Sequence, residues 1–200
     1  MIEVEVKLRI DDIDSIENKI LELGFKKSTK VSESDQYYNG VDRDFRKTDE
    51  ALRIRRSIGL EGNCIVADCE KCDDPDENQV CTLTYKGQKL DTVSMARQEI
   101  EIEIDNYEGM KQILMALGYK PVPVLNKIRQ YYFSEELCIC LDDVEGLGYY
   151  MEIEKIIDSE DNREVALLLI EETLKSLGYS MADTTTTSYL SMLMDKGDIN

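Results

Sequence analysis

The first residues of the chain alternate between apolar and charged side chains. In residues 2–8, the side chains of isoleucine, two valines and leucine are separated by Glu3, Glu5 and Lys7. Because successive side chains of a strand point to opposite faces, the pattern predicts a strand with one apolar face and one charged face. Two carboxylates about 7 Å apart on one strand can bind a divalent cation, and the lysine beside them can bind an anion. The charged face is therefore a candidate site for a metal ion and a phosphorylated ligand.

The same alternation returns in later segments, where charged residues stand two positions apart with apolar residues between them. The charged faces of these predicted strands carry the acids Glu99, Glu101, Glu103, Asp142, Glu152 and Glu154, and the bases Arg53, Arg55, Lys86, Arg97, Lys127 and Arg129. An open antiparallel sheet would expose these charges to solvent. A closed barrel would turn them into its lumen, where acids and bases neutralise one another and a ligand can bind. The recurrence favours an antiparallel barrel with a charged lumen.

Three segments have the periodicity of amphipathic helices, and each is followed by a glycine that can end a helix. These segments are residues 12–23, 107–117 and 163–177. We expect the helices to pack against the outside of the barrel, where apolar strand residues need a partner. The strand residues with this requirement are Val4, Val6, Ile100 and Ile102. Strands and helices together predict an α+β fold.

The composition fits one globular domain over residues 1–200. The 200 residues are 42% hydrophobic and 33% charged, which is sufficient for a substantial core. The net charge of −18 and the pI of about 4.4 argue against nucleic acid or an anionic membrane as partner, because both repel an acidic surface. The sequence shows no signal-peptide pattern and no apolar run of roughly 18 residues, so we expect a cytoplasmic protein.

An acidic segment at about residues 59–79 interrupts the interval between two predicted strands and is expected to be an inserted loop. Its cysteines are Cys64, Cys69 and Cys72. With Cys81, their spacing departs from the paired C-x2-C pattern of zinc sites, so a solvated loop or an occasional disulfide is favoured over a metal site. Cys81, Cys138 and Cys140 fall in predicted strands, and we expect them to pack as apolar residues in a reducing cytosol.

The charged motifs, taken together and in order, resemble those of the CYTH superfamily of class IV adenylyl cyclases and thiamine triphosphatases. The similarity covers nearly the whole chain. The motifs that carry it are Glu3-x-Glu5-x-Lys7, Leu52-Arg53-Ile54-Arg55, Leu83-Thr84-Tyr85-Lys86-Gly87, Arg97-x-Glu99-x-Glu101, Lys127-x-Arg129 and Glu152-x-Glu154. The segments Leu117-Gly118-Tyr119, Leu141-Asp142 and Gly146-Leu147-Gly148 are most similar to the class IV cyclase branch.

The resemblance implies a closed eight-stranded antiparallel β-barrel, called a triphosphate tunnel, with helices packed outside. It implies that basic residues hold the phosphates of ATP or a related triphosphate, namely Lys7, Arg53, Arg55, Lys86, Lys127 and Arg129. It also implies that carboxylates bind Mg²⁺ or Mn²⁺, with Glu3, Glu5 and Glu152 as ligands and Asp142 and Glu154 as further candidates. Lys86 and Asp142 are the catalytic candidates, Lys86 for the leaving group or the nucleophile and Asp142 for metal or base chemistry.

The leading functional interpretation is conversion of ATP into cyclic AMP and pyrophosphate. Hydrolysis of inorganic, thiamine or nucleoside triphosphate is the alternative, because the cysteine-bearing insertion and the additional carboxylate Glu154 depart from the cyclase pattern. A non-catalytic polyphosphate-binding module is a further alternative. The chain contains no histidine, so a general base must be a carboxylate, a lysine or metal-bound hydroxide. A homodimer is a family-level expectation.

Overall fold

The computed structural model of the protein describes residues 2–61, 65 and 78–197. Most of the predicted insertion, including Cys64, Cys69 and Cys72, lies outside the described residues. The strands are β1 (Ile2–Arg9), β2 (Lys26–Asn39), β3 (Ala51–Gly59), β4 (Gln79–Lys89), β5 (Arg97–Glu103), β6 (Lys120–Phe133), β7 (Cys138–Val144), β8 (Gly148–Ile157) and β9 (Thr184–Thr185). The α-helices are α1 (Ile13–Glu22), α2 (Tyr107–Ala116), α3 (Arg163–Leu177) and α4 (Tyr189–Lys196). None of the helices in these ranges is long and apolar enough to cross a membrane.

The first eight strands form a closed antiparallel barrel, as predicted. Around the barrel the strand order is β5-β4-β3-β2-β6-β7-β8-β1. Pairing of Ile2 with Gln98 and of Glu3 with Arg97 joins β1 to β5 and completes the circle. The short strand β9 pairs with the other end of β1, at Lys7 and Leu8. The closed barrel has an inner and an outer face. The apolar face of β1 packs against helices on the outside, so its charged face points into the enclosed lumen.

Helices α1 and α3 cover the outer face of β1. Val4 and Val6 are fully buried in one apolar cluster with Ile16 and Ile20 of α1 and Ile170 of α3. Burial of each such side chain stabilises the fold by about 1.5–3 kcal/mol. Helix α1 begins after Asp12, whose carboxylate accepts a hydrogen bond from the Ser15 amide at 3.0 Å and caps the helix. The expected covering of Val4 and Val6 is confirmed.

The expectation that a helix covers Ile100 and Ile102 is wrong. These side chains of β5 are 57% and 53% exposed. Helix α2 follows β5 but packs over β3, where Leu114 is buried with Leu52 and Ile54. The alternation in β5 therefore reports which side chains face the lumen, but it does not require that the opposite face be buried.

Helix α4 lies at one end of the barrel. Its residues Tyr189 and Leu193 are buried with Leu125, Val144 and Tyr150. Leu125, Val144 and Tyr150 belong to β6, β7 and β8. Each lies two positions from a charged lumen residue of its strand, so its side chain also faces the lumen. The ring of Tyr189 meets that of Tyr150 edge-on, with centroids 5.1 Å apart. An apolar layer contributed by α4 therefore closes off the charged part of the lumen from this end.

Candidate functional site

The barrel lumen contains a cavity of about 630 Å³. This volume is within the range of roughly 300–1,000 Å³ that is typical of small-molecule sites. All but one of the residues predicted to bind substrate or metal line it, namely Glu3, Glu5, Lys7, Arg53, Arg55, Lys86, Lys127, Arg129, Glu152 and Glu154. The remaining residue, Asp142, is completely buried behind two of these bases. The alternation of the strands thus brings the predicted site residues together in one place.

Arg129 and Asp142 form the centre of the ion-pair network on β6 and β7. The guanidinium of Arg129 donates to Asp142 through Nε at 2.7 Å and through Nη2 at 2.6 Å, and it also contacts Glu152. Asp142 Oδ2 accepts further hydrogen bonds from Lys127 Nζ at 3.1 Å and from Tyr189 Oη at 3.0 Å. Both carboxylate oxygens of Asp142 are thus occupied by protein donors. This geometry holds Lys127 and Arg129 in fixed positions facing the cavity.

Lys7 is held between two carboxylates. Its Nζ atom is 2.9 Å from Glu152 and 3.3 Å from Glu5, and it lies 4.1 Å from the centroid of the Tyr189 ring. Burial disfavours the charged amine, but the attraction of Glu152 and Glu5 outweighs burial and raises the pKa of Lys7 above its ordinary value. Burial likewise opposes ionisation of Glu152, yet Lys7 and Arg129 hold its pKa well below the usual range. Both groups are therefore charged at neutral pH.

The acidic side of β2 was not predicted from the sequence. Asp35 accepts two hydrogen bonds from Arg55, and Glu33 lies 2.9 Å from the Nη1 atom of the same arginine. Glu33 also contacts Lys127 at 3.4 Å and accepts a hydrogen bond from Tyr131 at 3.1 Å. Burial opposes the ionisation of Glu33, but Arg55 and Lys127 lower its pKa to about 2. These acids therefore neutralise the charges of Arg53, Arg55 and Lys127.

Three carboxylates form a compact group in the lumen. Oxygen atoms of Glu3, Glu5 and Glu154 all lie within 4.8 Å of one another. Burial together with the nearby charge of Glu152 raises the pKa of Glu5, and burial together with Glu3 raises the pKa of Glu154 well above its usual range. For Glu3, burial is outweighed by Lys86 and the pKa is lowered. Burial and neighbouring acids therefore oppose the ionisation of Glu5 and Glu154, while Lys86 favours the ionised form of Glu3.

The carboxylate group fits a hard divalent cation. The Oε1 atom of Glu5 is buried and has no hydrogen-bond donor among the described residues, although Lys7 Nζ approaches it to 3.3 Å. Mg²⁺ and Mn²⁺ prefer carboxylate oxygens, and a bound cation would remove the repulsion within the group. Glu152 and Asp142 lie outside this group, and their oxygens contact bases of the protein instead. The residues best placed to hold a metal ion are thus Glu3, Glu5 and Glu154.

Lys86 lies between Glu99 and Glu3. Its Nζ atom is 2.5 Å from Glu99 and 3.6 Å from Glu3. Burial raises the pKa of Glu99 most strongly, Lys86 opposes this effect, and the net result is a pKa of about 7. A carboxyl group with such a pKa can accept or release a proton near neutral pH. The sequence pattern placed Glu99 on a charged face but did not distinguish it from its neighbours Glu101 and Glu103.

Comparison with known proteins relates the barrel and its lumen to one family. The family model described as "CYTH domain" matches residues 1–189. A protein of Methanocaldococcus jannaschii named "Putative adenylate cyclase" is 41% identical over 192 residues, which are 96% of this chain and 98% of that protein. The solved structure of a Pyrococcus horikoshii protein is 36% identical, with a TM-score of 0.82 and coverage of 97% of this chain and 99% of that one.

A more distant structure shares the fold. It is a Hippeastrum protein described as having a dominant triphosphatase activity. Its sequence is 20% identical, the TM-score is 0.59, and the alignment covers 98% of this chain and 96% of that one. At this identity the likeness concerns the fold alone.

Proposed function

The chain belongs to the CYTH domain family, and from this premise we propose that it is a metal-dependent enzyme that converts ATP into cyclic AMP and pyrophosphate. The observation that carries the proposal is the convergence of six basic side chains and a three-carboxylate group on one enclosed lumen. The name of the 41% identical relative supports the cyclase reaction in particular. Mg²⁺ or Mn²⁺ is the proposed cofactor, held by Glu3, Glu5 and Glu154.

The basic side chains divide the work of binding a triphosphate. Arg53, Arg55 and Arg129 present planar guanidinium groups that can bind phosphate oxygens in pairs, whereas the lysines act as compact charges. In the free protein each arginine is paired with a buried carboxylate, for example Arg53 with Asp35 at 3.2 Å. These carboxylates keep the guanidinium groups oriented before the ligand enters. Such preorganisation lowers the cost of ordering the site on binding.

The reaction requires that the ribose 3′-oxygen attack the α-phosphorus while the bond to the β-phosphate breaks. The proton of the 3′-hydroxyl must leave, and pyrophosphate must accumulate negative charge. Lys86 is placed to stabilise charge on the phosphates, and the Glu99 carboxylate beside it is a suitable proton acceptor at neutral pH. A metal ion bound at the carboxylate group would neutralise phosphate charge and favour departure of pyrophosphate. Asp142 serves as a positioning residue for Lys127 and Arg129.

Hydrolysis of inorganic, thiamine or nucleoside triphosphate is the second candidate function. Glu154 favours this function. It is a second acid on β8 beside Glu152, where the cyclase pattern needs only one, and it completes a group of three carboxylates with Glu3 and Glu5. The same bases would hold the phosphates, while water would replace the ribose hydroxyl as nucleophile.

Product analysis tests the proposal directly. The purified chain is incubated with ATP, thiamine triphosphate or tripolyphosphate, with Mg²⁺, with Mn²⁺ and with a chelator. Cyclic AMP and pyrophosphate from ATP are the expected products, and they should disappear in the chelator. Release of orthophosphate without cyclic AMP would replace the proposal by the second candidate. Tight, metal-independent triphosphate binding without any product would overturn both reactions in favour of a binding module.

A further inference from the structure

Cys138 and Cys140 do not pack as apolar residues on the outside of the barrel. They alternate in β7 with Ile139 and Leu141, and these two side chains are buried in the outer apolar cluster below the helices. The thiols therefore share the lumen face with Asp142. Cys140 is fully buried and Cys138 is half-buried. The expected burial is confirmed for Cys140, but its surroundings are charged rather than apolar, because the alternation of β7 places both cysteines on the same face as Asp142.

The two thiols meet the carboxylate of Glu154. In the pairing of β7 with β8, Cys138 lies directly opposite Glu154. The Sγ atoms of Cys138 and Cys140 are 3.7 Å apart, and Cys140 Sγ is 3.8 Å from Glu154 Oε1. One ligand atom from each of the three residues lies within 4.8 Å of the other two. The register of β7 and β8 thus places two soft sulfur ligands and one oxygen ligand close together.

These distances are close to the distances between ligand atoms in a tetrahedral zinc site. With Zn–S bonds of about 2.3 Å and Zn–O bonds of about 2.1 Å, ideal tetrahedral angles place two sulfurs about 3.8 Å apart and a sulfur and an oxygen about 3.6 Å apart. We propose that Cys138, Cys140 and Glu154 form a second site, for a thiophilic divalent cation such as Zn²⁺. Three protein ligands leave a fourth position for water. Thiolates select such ions over Mg²⁺, which prefers oxygen ligands.

The thiophilic site overlaps the carboxylate group through Glu154. The Glu154 carboxylate also lies 3.4 Å from Arg129. A Zn²⁺ ion that binds Glu154 would therefore remove this carboxylate from the group with Glu3 and Glu5 and from its ion pair with Arg129. Occupation of this site should therefore inhibit the reaction supported by Mg²⁺ or Mn²⁺. This consequence rests on the proposed function, whereas binding of the thiophilic ion does not.

Binding can be measured with Cd²⁺, whose thiolate complexes absorb in the ultraviolet. The reduced background variant carries Cys64→Ser, Cys69→Ser, Cys72→Ser and Cys81→Ser, so only Cys138 and Cys140 remain. We expect one Cd²⁺ per chain with an absorbance that corresponds to two thiolates. Adding Cys138→Ser or Cys140→Ser should halve this absorbance and weaken binding by more than about ten-fold, a loss that even supporting residues of metal sites can cause. Absence of the band, or a band unchanged by Cys140→Ser, would overturn the site.

Two further measurements do not depend on folding of the background variant. In the unmodified chain, Cd²⁺ should protect the half-buried thiol of Cys138 from alkylation, as measured on its peptide by mass spectrometry. Equal labelling with and without Cd²⁺ would refute the site. In the second measurement, which is of activity, Zn²⁺ should inhibit the unmodified chain more strongly than it inhibits the Cys138→Ser variant. Cd²⁺ binding without turnover of any triphosphate would leave the thiophilic site standing and remove the proposed function, and turnover without Cd²⁺ binding would do the reverse.

Discussion

Arg55 and Asp35 face each other directly across β2 and β3 and are joined by two parallel hydrogen bonds. The Nε–Oδ1 distance is 2.6 Å and the Nη2–Oδ2 distance is 2.8 Å. Burial opposes the charge of Asp35, but Arg55 and Arg53 lower its pKa below the ordinary value. Arg55, one of the proposed phosphate-binding bases, is therefore also a structural partner of a buried acid, so its substitution should affect both ligand binding and stability.

Substitution Arg55→Ala should lower the free energy of unfolding by about 3 kcal/mol or more, because it leaves Asp35 and Glu33 buried with fewer partners. It should also weaken binding of a non-hydrolysable triphosphate. The matched control is Arg56→Ala, whose side chain is exposed on the other face of β3 and whose effect should stay within about 0.5 kcal/mol. Urea unfolding and calorimetric titration provide the two measurements. Equal unfolding free energies for the two variants would contradict the structural role.

Substitution Glu5→Gln should lower kcat/KM by more than about 100-fold, since it removes one anionic ligand from the carboxylate group with little change in volume. Stability should be unchanged or higher, because burial already raises the pKa of Glu5 and the neutral amide resembles its protonated form. Glu3→Gln should give the same loss of activity. Glu103→Gln, at an exposed position of β5, is the control. Near-normal turnover of Glu5→Gln at saturating Mg²⁺ would exclude this residue as a ligand.

Substitution Asp142→Asn separates a positioning role from metal binding. If Asp142 orients Lys127 and Arg129, its loss should destabilise the metal-free protein by about 3–5 kcal/mol, because two buried cations lose a shared anion. A residue that only binds metal would show no such loss in the presence of a chelator. Asp143→Asn, on the exposed side of β7, is the matched control. Urea unfolding in a chelator measures both variants, and similar curves would disprove the positioning role.

Glu33 should make the fold sensitive to acid. Its pKa is about 2 in the folded protein against an ordinary value of 4.5, so the unfolded chain takes up the proton first as the pH falls. The stability that it contributes is complete above about pH 4.5 and is lost as the pH falls towards about 2. The contribution is on the order of 3 kcal/mol. Urea unfolding across this range should show a shallower pH dependence for Glu33→Gln than for the unmodified chain. Parallel curves would contradict the assignment.

The sequence predicts those strands whose two faces differ in polarity. In β1, Val4 and Val6 mark the outer face, so Glu5 is recognised as a lumen residue. In β2, the outer positions before Glu33 and between Glu33 and Asp35 are Ser32 and Ser34, so the contrast in polarity between the two faces is lost. This is why Glu33 and Asp35 escaped prediction as acidic partners of Arg55.

The pairing of individual charges also depends on information that alternation does not contain. Arg129 lies opposite Asp142 because of the register between β6 and β7, and Cys138 lies opposite Glu154 because of the register between β7 and β8. Turn geometry and packing of the whole sheet set these registers. The sequence could therefore name Asp142 and Glu154 together as metal ligands, while the structure gives them different neighbours.

The closure of the barrel through β1 has a consequence for how the protein folds. Strand β1 is separated from its partner β8 by six other strands in the chain, and Val6 pairs with Ile153. Contacts between such distant segments must overcome a large loss of chain entropy, so a low rate of folding is expected. Glu3 and Glu5 meet Glu154 only when these strands have joined. No fragment that ends before β8 can therefore contain the complete group of Glu3, Glu5 and Glu154.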